Sequence, residues 1–228
     1  MQETMSSQLK AVLFDLDGTL LDTAPEFYQI ISAMLQAHGA APIAYDDFRQ
    51  SASDGARGMV QKAFGLDPTE SRFESLRKEF LDLYEMNLAS HTQLFSGMSE
   101  TLAYIESKNL RWGVVTNKPV AFSAPLLQRL NLAERCATLI CPDHVRQRKP
   151  DPEALHLACA QIDCSIGEVI YVGDHRRDIE CARNAGMRSI ACNFGYVHGD
   201  DPCETWGADF IVQSAGAIVP ILQQHLDK

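Results

Sequence analysis

The sequence predicts an α/β protein: a parallel sheet with helices on both faces and an all-helical unit inserted after the first strand. Two observations predict the sheet. From residue 97 onward, short apolar runs alternate with amphipathic helical stretches, an alternation that right-handed parallel crossovers accommodate. The apolar runs also end in Asp, Thr or Gly, as strands do at the ligand-binding rim of such sheets. The third observation predicts the insertion. Residues 23–92 show helical periodicity and no convincing strand, over a length too great for a simple connection.

Taken in order, Ala-Val-Leu-Phe at 11–14 reads as a buried strand, stopped within one turn by the acidic, glycine-containing stretch that follows. Residues 24–38 carry Phe27, Ile30, Ile31, Met34 and Leu35 at helical spacing, with Gly39 as the stop. Residues 46–64 read as two short helices broken at Ser53-Asp54-Gly55. Residues 70–88 form a third, with Phe73, Leu76, Phe80, Leu83 and Tyr84 on one face. Beyond residue 97 the predicted helices are 98–108, one running to 130, one running through 162, 177–185 and 217–226. The predicted strands are 112–116, 138–141, 168–172, 189–192 and 209–212. The expected division is a Rossmann-like core of 9–22 and 93–228 and a helical cap of 23–92.

Composition narrows the function. A net charge of −10 over 228 residues argues against a nucleic-acid-binding surface, so an anionic substrate must be met by local cations. The seven cysteines form no Cys-x-x-Cys pair and fall mostly in apolar stretches, which reads as buried free thiols in a reducing compartment. The polar start, with Met5 as an alternative first residue, reads as a tail without an apolar signal core. No apolar run approaches membrane-spanning length. The expectation is a cytoplasmic protein.

The predicted strand ends bring one set of residues to one rim: Asp15, Asp17 and Thr19 after the first strand, Thr116, Asn117 and Lys118 after the second, Lys149 in the loop after the third, and Asp174 and Asp178 after the fourth. Asp15 and Asp17 lie two apart on an extended chain and so share a side, where two carboxylates repel unless a cation or a proton intervenes. Carboxylate oxygens are the ligands Mg²⁺ takes, alongside water and phosphate oxygen. Thr19, Thr116 and amides near Asn117 suit phosphate oxygens, and Lys149 offers positive charge. One aspartate serves as nucleophile toward phosphorus, the other as acid and base. An ordinary acidic turn closing a strand is the bland alternative for the first pair.

The set DLDGT, TNK, KPDP and GDHRRD resembles the four motifs of the haloacid dehalogenase superfamily, in its aspartate-nucleophile phosphatase branch, over the chain from about residue 10. That resemblance implies Asp15 as nucleophile and Mg²⁺ ligand, and Asp17 as acid/base and carbonyl ligand. It further implies Thr116 and Asn117 on the phosphate, Lys149 beside the nucleophile, Asp174 as ligand, and Asp178 as ligand through water or behind it. The insertion matches the superfamily's helical cap. His175 departs from the small hydroxyl or acid of many relatives and reads as a solvent-facing N-cap-region residue, while Arg176, Arg177 and Arg183 read as a solvated helix face.

Within the superfamily, residues 53–60, 112–119, 139–145, 195–198 and 206–209 resemble the phosphoglycolate phosphatase-like group, and in it the branch acting on N-acetylmuramic acid 6-phosphate in cell-wall recycling. Both candidate substrates carry a carboxylate, for which Arg57 is the expected partner; Ser53, Gly55 and Lys118 are expected beside it. Phosphoglycolate hydrolysis is the alternative. A phosphosugar mutase and a phospho-accepting signalling module are less favoured, the latter because Asp17 would shorten the life of a phospho-aspartate.

Overall fold

The computed structural model describes residues 8–226. The expected N-terminal tail and Met5 lie outside them. β1 (Ala11–Phe14), β4 (Arg111–Val115), β5 (Leu139–Ile140), β6 (Val169–Gly173), β7 (Arg188–Cys192) and β8 (Phe210–Val212) form a parallel sheet in the order β5-β4-β1-β6-β7-β8. β1 lies in the middle. The chain builds outward from it to one side through β4 and β5, then returns to the other side through β6, β7 and β8. The carboxyl ends of β1, β4 and β6 therefore flank the point where strand order reverses, where such sheets open a crevice.

Period-two alternation decides which helices cover which face. Val12 and Phe14 of β1 join an apolar cluster with α5 (Met98–Ser107), α6 (Val120–Arg129) and α9 (Ile218–Leu226). Ala11 and Leu13 point the other way, into a cluster with α7 (Glu153–Gln161) and α8 (Arg176–Ala185). Trp112, Tyr171 and Leu13 are among the side chains closed off entirely. All seven cysteines are free, five buried and two half-buried. Burial pushes the Cys141 and Cys159 thiols up to about 11, which keeps them protonated and unreactive at neutral pH.

Residues between β1 and β4 form α1 (Ala24–Ala37), α2 (Tyr45–Arg49), α3 (Gly55–Phe64) and α4 (Phe73–Asn87), with a 3₁₀ turn at Gln50–Asp54 joining α2 to α3. The predicted break at 53–55 falls where Gly55 adopts φ +71°, a conformation that favours glycine. The stripe of α1 packs Phe27 against Phe80 and Tyr84 of α4 at ring-centroid distances of 6.0 and 4.9 Å.

Sequence reading missed the ribbon at the base of these helices. β2 (Leu21–Asp22) pairs antiparallel with β3 (Gln93–Leu94), bringing the outgoing and returning chain side by side. Two residues per strand are too few to register as a period. Two buried polar side chains lock the crossings. The Tyr196 hydroxyl accepts from the amides of Thr23 and Ala24 at 2.7 and 2.8 Å and donates to Asp22 at 2.8 Å. The Glu26 carboxylate accepts from the amides of Ala89, His91 and Thr92 at 3.1, 2.9 and 3.2 Å. Glu26→Ala would leave those amides without this partner. The expected cost is about 3 kcal/mol, read as a lower denaturant midpoint at unchanged m.

Candidate active site

Asp15 follows β1, and its amide is fixed by a 2.8 Å bond to the Val172 carbonyl of β6. Its Oδ1 accepts from the Leu16 amide at 2.7 Å and faces Lys149 Nζ at 2.9 Å, which leaves Oδ2 open. Lys149 is buried and also reaches Asp178 Oδ1 at 2.6 Å, the Tyr171 hydroxyl at 2.8 Å and the Val115 carbonyl at 3.0 Å. Burial alone would lower the Lys149 pKa, but Asp15 and Asp178 outweigh it and hold the ammonium raised.

Asp174, at the end of β6, is closed off. Its Oδ1 accepts from Thr19 Oγ1 at 2.8 Å; its Oδ2 accepts from the Tyr196 amide at 2.9 Å and Ser53 Oγ at 3.2 Å. Gly18 makes this approach feasible. It sits at φ +85°, and a Cβ there would lie 2.1 Å from Asp174 Oδ2. Asp15, Asp174 and Asp178 each offer a carboxylate oxygen, all within 4.8 Å of one another. Burial first, and then repulsion from Asp15 and Asp178, pushes the Asp174 carboxyl up to about 7. Three buried carboxylates around one lysine are under-compensated, and an all-oxygen donor set of this kind fits a hard divalent cation.

That shift sets a sign for stability. Between about pH 4 and 7 the folded, cation-free protein keeps a proton on Asp174 that the unfolded chain has released, so stability falls as pH rises through that window. In chelator, the melting temperature is expected to be lower at pH 8 than at pH 6, and Mg²⁺ is expected to narrow the gap. A Mg²⁺-independent gap would count against a cation among these carboxylates.

Asp17 takes both oxygens to Lys118 Nζ, at 3.0 and 3.2 Å. The ammonium lies over the rings of Phe27 and Tyr84 at 4.8 and 4.6 Å. Burial would lower the Lys118 pKa, but Asp17 outweighs it and the group stays cationic. Thr116 Oγ1 accepts from the Lys118 amide at 3.1 Å. The Asn117 side chain bridges to the backbone of Lys149 at 3.2 and 3.3 Å, tying the second strand end to the lysine loop.

Several residues fall elsewhere than expected. Thr19 was expected on the phosphate, but its hydroxyl is fully buried and spent on Asp174. Ser53 does line the cavity, as expected, but its hydroxyl goes to Asp174. His175 does cap α8, accepting from the Arg177 amide at 3.2 Å, yet it is half-buried and its other nitrogen faces Asp54 at 4.0 Å. Burial, with Arg177 nearby, pushes that imidazole down to about 3, so it is neutral. Arg177 is no solvated residue: it lines the cavity, donates to the Ser53 carbonyl and keeps a buried Nε without a hydrogen-bond partner. Its place in the first turn of a helix that starts at the rim was the available signal.

A cavity of about 410 Å³ opens above these groups. Asp15, Asp17, Thr116, Asn117 and Lys118 line it from the core. Gly55 and Arg57 line it from the insertion, where Phe80, Leu81 and Tyr84 form an apolar wall. Arg148, the residue before the buried Lys149, also lines it.

A family model for haloacid dehalogenase-like hydrolases matches residues 12–192. The chain is 53% identical to an N-acetylmuramic acid 6-phosphate phosphatase of Pseudomonas putida, over 90% of this chain and 92% of that protein. It is 42% identical to a phosphoglycolate phosphatase of Xanthomonas campestris, over 90% and 92% respectively. The fold matches the crystal structure of a predicted phosphoglycolate phosphatase from Haemophilus somnus with a TM-score of 0.83 at 24% identity, over 94% of this chain and 98% of that one. The chain is a member of the haloacid dehalogenase-like hydrolase family, as its four strand-end motifs led us to expect.

Proposed function

We propose that the protein is a Mg²⁺-dependent cytoplasmic phosphatase that hydrolyses N-acetylmuramic acid 6-phosphate to N-acetylmuramic acid and phosphate, in cell-wall recycling. Residues 23–92 act as the cap over a core of 9–22 and 93–228. The observation that carries this reading is the cavity. At about 410 Å³ it is of a size for a substituted sugar, and a two-carbon phosphate would leave most of it unfilled. Its floor holds Asp15, Asp17 and Lys118, its apolar wall suits the pyranose and acetyl group, and Arg57 stands on the cap side for the lactyl carboxylate. Relatives that bear this activity's name, at 53% and 49% identity, support it.

Asp15 Oδ2 attacks phosphorus, while Lys149 and the Leu16 amide hold Oδ1 away. The bond from phosphorus to the sugar oxygen breaks, and that oxygen takes a proton from Asp17. A water then attacks the aspartyl-phosphate, giving its proton to Asp17 and releasing phosphate. Thr116, the amides near Asn117, and Lys118 hold the phosphoryl oxygens. Asp15, the Asp17 carbonyl and Asp174, with Asp178 behind them, would hold the divalent cation, which would supply charge stabilisation to the transferring group.

The test is a panel of N-acetylmuramic acid 6-phosphate, N-acetylglucosamine 6-phosphate, phosphoglycolate and an aryl phosphate, assayed with Mg²⁺ and with chelator. The muramic ester should exceed N-acetylglucosamine 6-phosphate by orders of magnitude in kcat/KM. Arg57→Ala should cost the muramic ester roughly 10- to 150-fold, the loss of one charge-assisted contact, and leave N-acetylglucosamine 6-phosphate nearly unchanged. Preference for phosphoglycolate would overturn the substrate while leaving the core chemistry in place.

A further inference from the structure

We propose that Ser53 couples docking of the helical cap to the orientation of Asp174, so that divalent-cation binding and cap docking reinforce each other. The inference rests on the cation site of the preceding reading and is independent of its substrate.

The lone pairs of Asp174 are nearly all spoken for. The core supplies one donor to each oxygen of Asp174: Thr19 Oγ1 to Oδ1, and the Tyr196 amide to Oδ2. The cap supplies a third, Ser53 Oγ to Oδ2. A carboxylate oxygen accepts about two hydrogen bonds. With the cap docked, Oδ2 is saturated and Oδ1 keeps the open lone pair, so Asp174 is presented to a cation through a single, tethered oxygen. With the cap lifted, Oδ2 regains a lone pair and the carboxylate loses its third tether. Donors behind a metal ligand fix its orientation and carry much of the affinity.

The contact belongs to a built junction. Arg177 donates to the carbonyl of the same Ser53. Asp54 faces His198 at 3.5 Å. One turn earlier, Arg49 donates to the carbonyls of Gly195 and Phe194 at 2.8 and 3.0 Å, with its guanidinium 4.9 Å from the centre of the Tyr196 ring. The 3₁₀ turn and the residue before it thus sit against the core loop that carries Tyr196 and against the first turn of α8. By linkage, whatever docking adds to cation affinity, the cation must add to docking.

The experiment uses no substrate. Mg²⁺ binding is measured by calorimetry on the wild type, Ser53→Ala and Arg49→Gln, and amide hydrogen exchange of residues 50–58 is followed with and without Mg²⁺. Ser53→Ala is expected to weaken Mg²⁺ binding roughly 3- to 10-fold. Arg49→Gln, which loosens docking without touching a ligand, is expected to weaken it as well. Mg²⁺ should slow exchange across 50–58 in the wild type and much less in Ser53→Ala. Unchanged or tighter Mg²⁺ binding in both variants, with circular dichroism intact, would overturn the coupling, as would Mg²⁺-insensitive exchange in the wild type. Failure of the wild type to bind Mg²⁺ would instead overturn the cation site itself, and the coupling with it.

Discussion

Asp15→Asn is expected to lower turnover of every phosphate monoester by at least about 10⁴-fold, the scale of losing a covalent nucleophile, while leaving the protein folded. The chemistry is lost because an amide has no anionic oxygen to place on phosphorus. The fold persists because Asp15 is anchored through its backbone, by the amide bond to Val172. Lys149 also keeps its other partners, Asp178, Tyr171 and the Val115 carbonyl. Removing one negative charge relieves the crowding that raises Asp174, so the melting temperature in chelator should hold or rise. Acid quenching of the wild type during turnover should trap phosphate on Asp15, found by peptide mass spectrometry. Retained turnover in a contaminant-free Asp15→Asn preparation would sink the assignment.

The residues that carry this expectation were legible because each ends a strand. An apolar run that stops in Asp15, Thr116 or Asp174 marks both the element and its rim, and parallel topology then gathers the rims. The helical insertion was legible for the same kind of reason, since Phe27, Ile30 and Ile31 in one stretch and Leu76, Phe80 and Tyr84 in another recur at helical spacing. What stayed hidden depends on contacts between residues far apart in the chain. Ser53 reaches Asp174 across 121 positions, and Thr19 reaches it across 155. Nothing local to a serine in a short helical break, or to a threonine in a turn, says that its hydroxyl will be spent on a carboxylate. Glu26 in a helix and Tyr196 in a loop look like surface residues by type, yet both are buried because they satisfy backbone amides at the two crossings. Arg177 was misread because a charged helix residue is usually solvated, whereas this one enters its helix at the rim and turns inward.

Lys149→Met is expected to cost about 3–5 kcal/mol of stability in chelator at pH 8. For a chain of this length that is about 6–20 °C in melting temperature. The lysine side chain is 1% exposed and contacts two of the three clustered carboxylates directly, at 2.9 and 2.6 Å. Methionine fills similar space but leaves those carboxylates buried without their cation. The pH dependence separates charge from packing. Lys149 is held raised, so it stays charged from pH 5 to 8 and its own titration contributes no slope there. Asp174, already pushed up to about 7 by burial and by its two acidic neighbours, does titrate: with the lysine's charge gone it is harder still to ionise, the folded state holds a proton that the unfolded chain has released, and the variant regains stability as pH falls toward 5. Mg²⁺ should restore part of the loss at pH 8, since a cation held by the same oxygens offsets the same repulsion, but not the activity, since Asp15 Oδ1 would have lost the charged one of its two holders. A loss of stability equal at pH 5 and pH 8, and indifferent to Mg²⁺, would mean that the lysine stem rather than its charge holds this centre together.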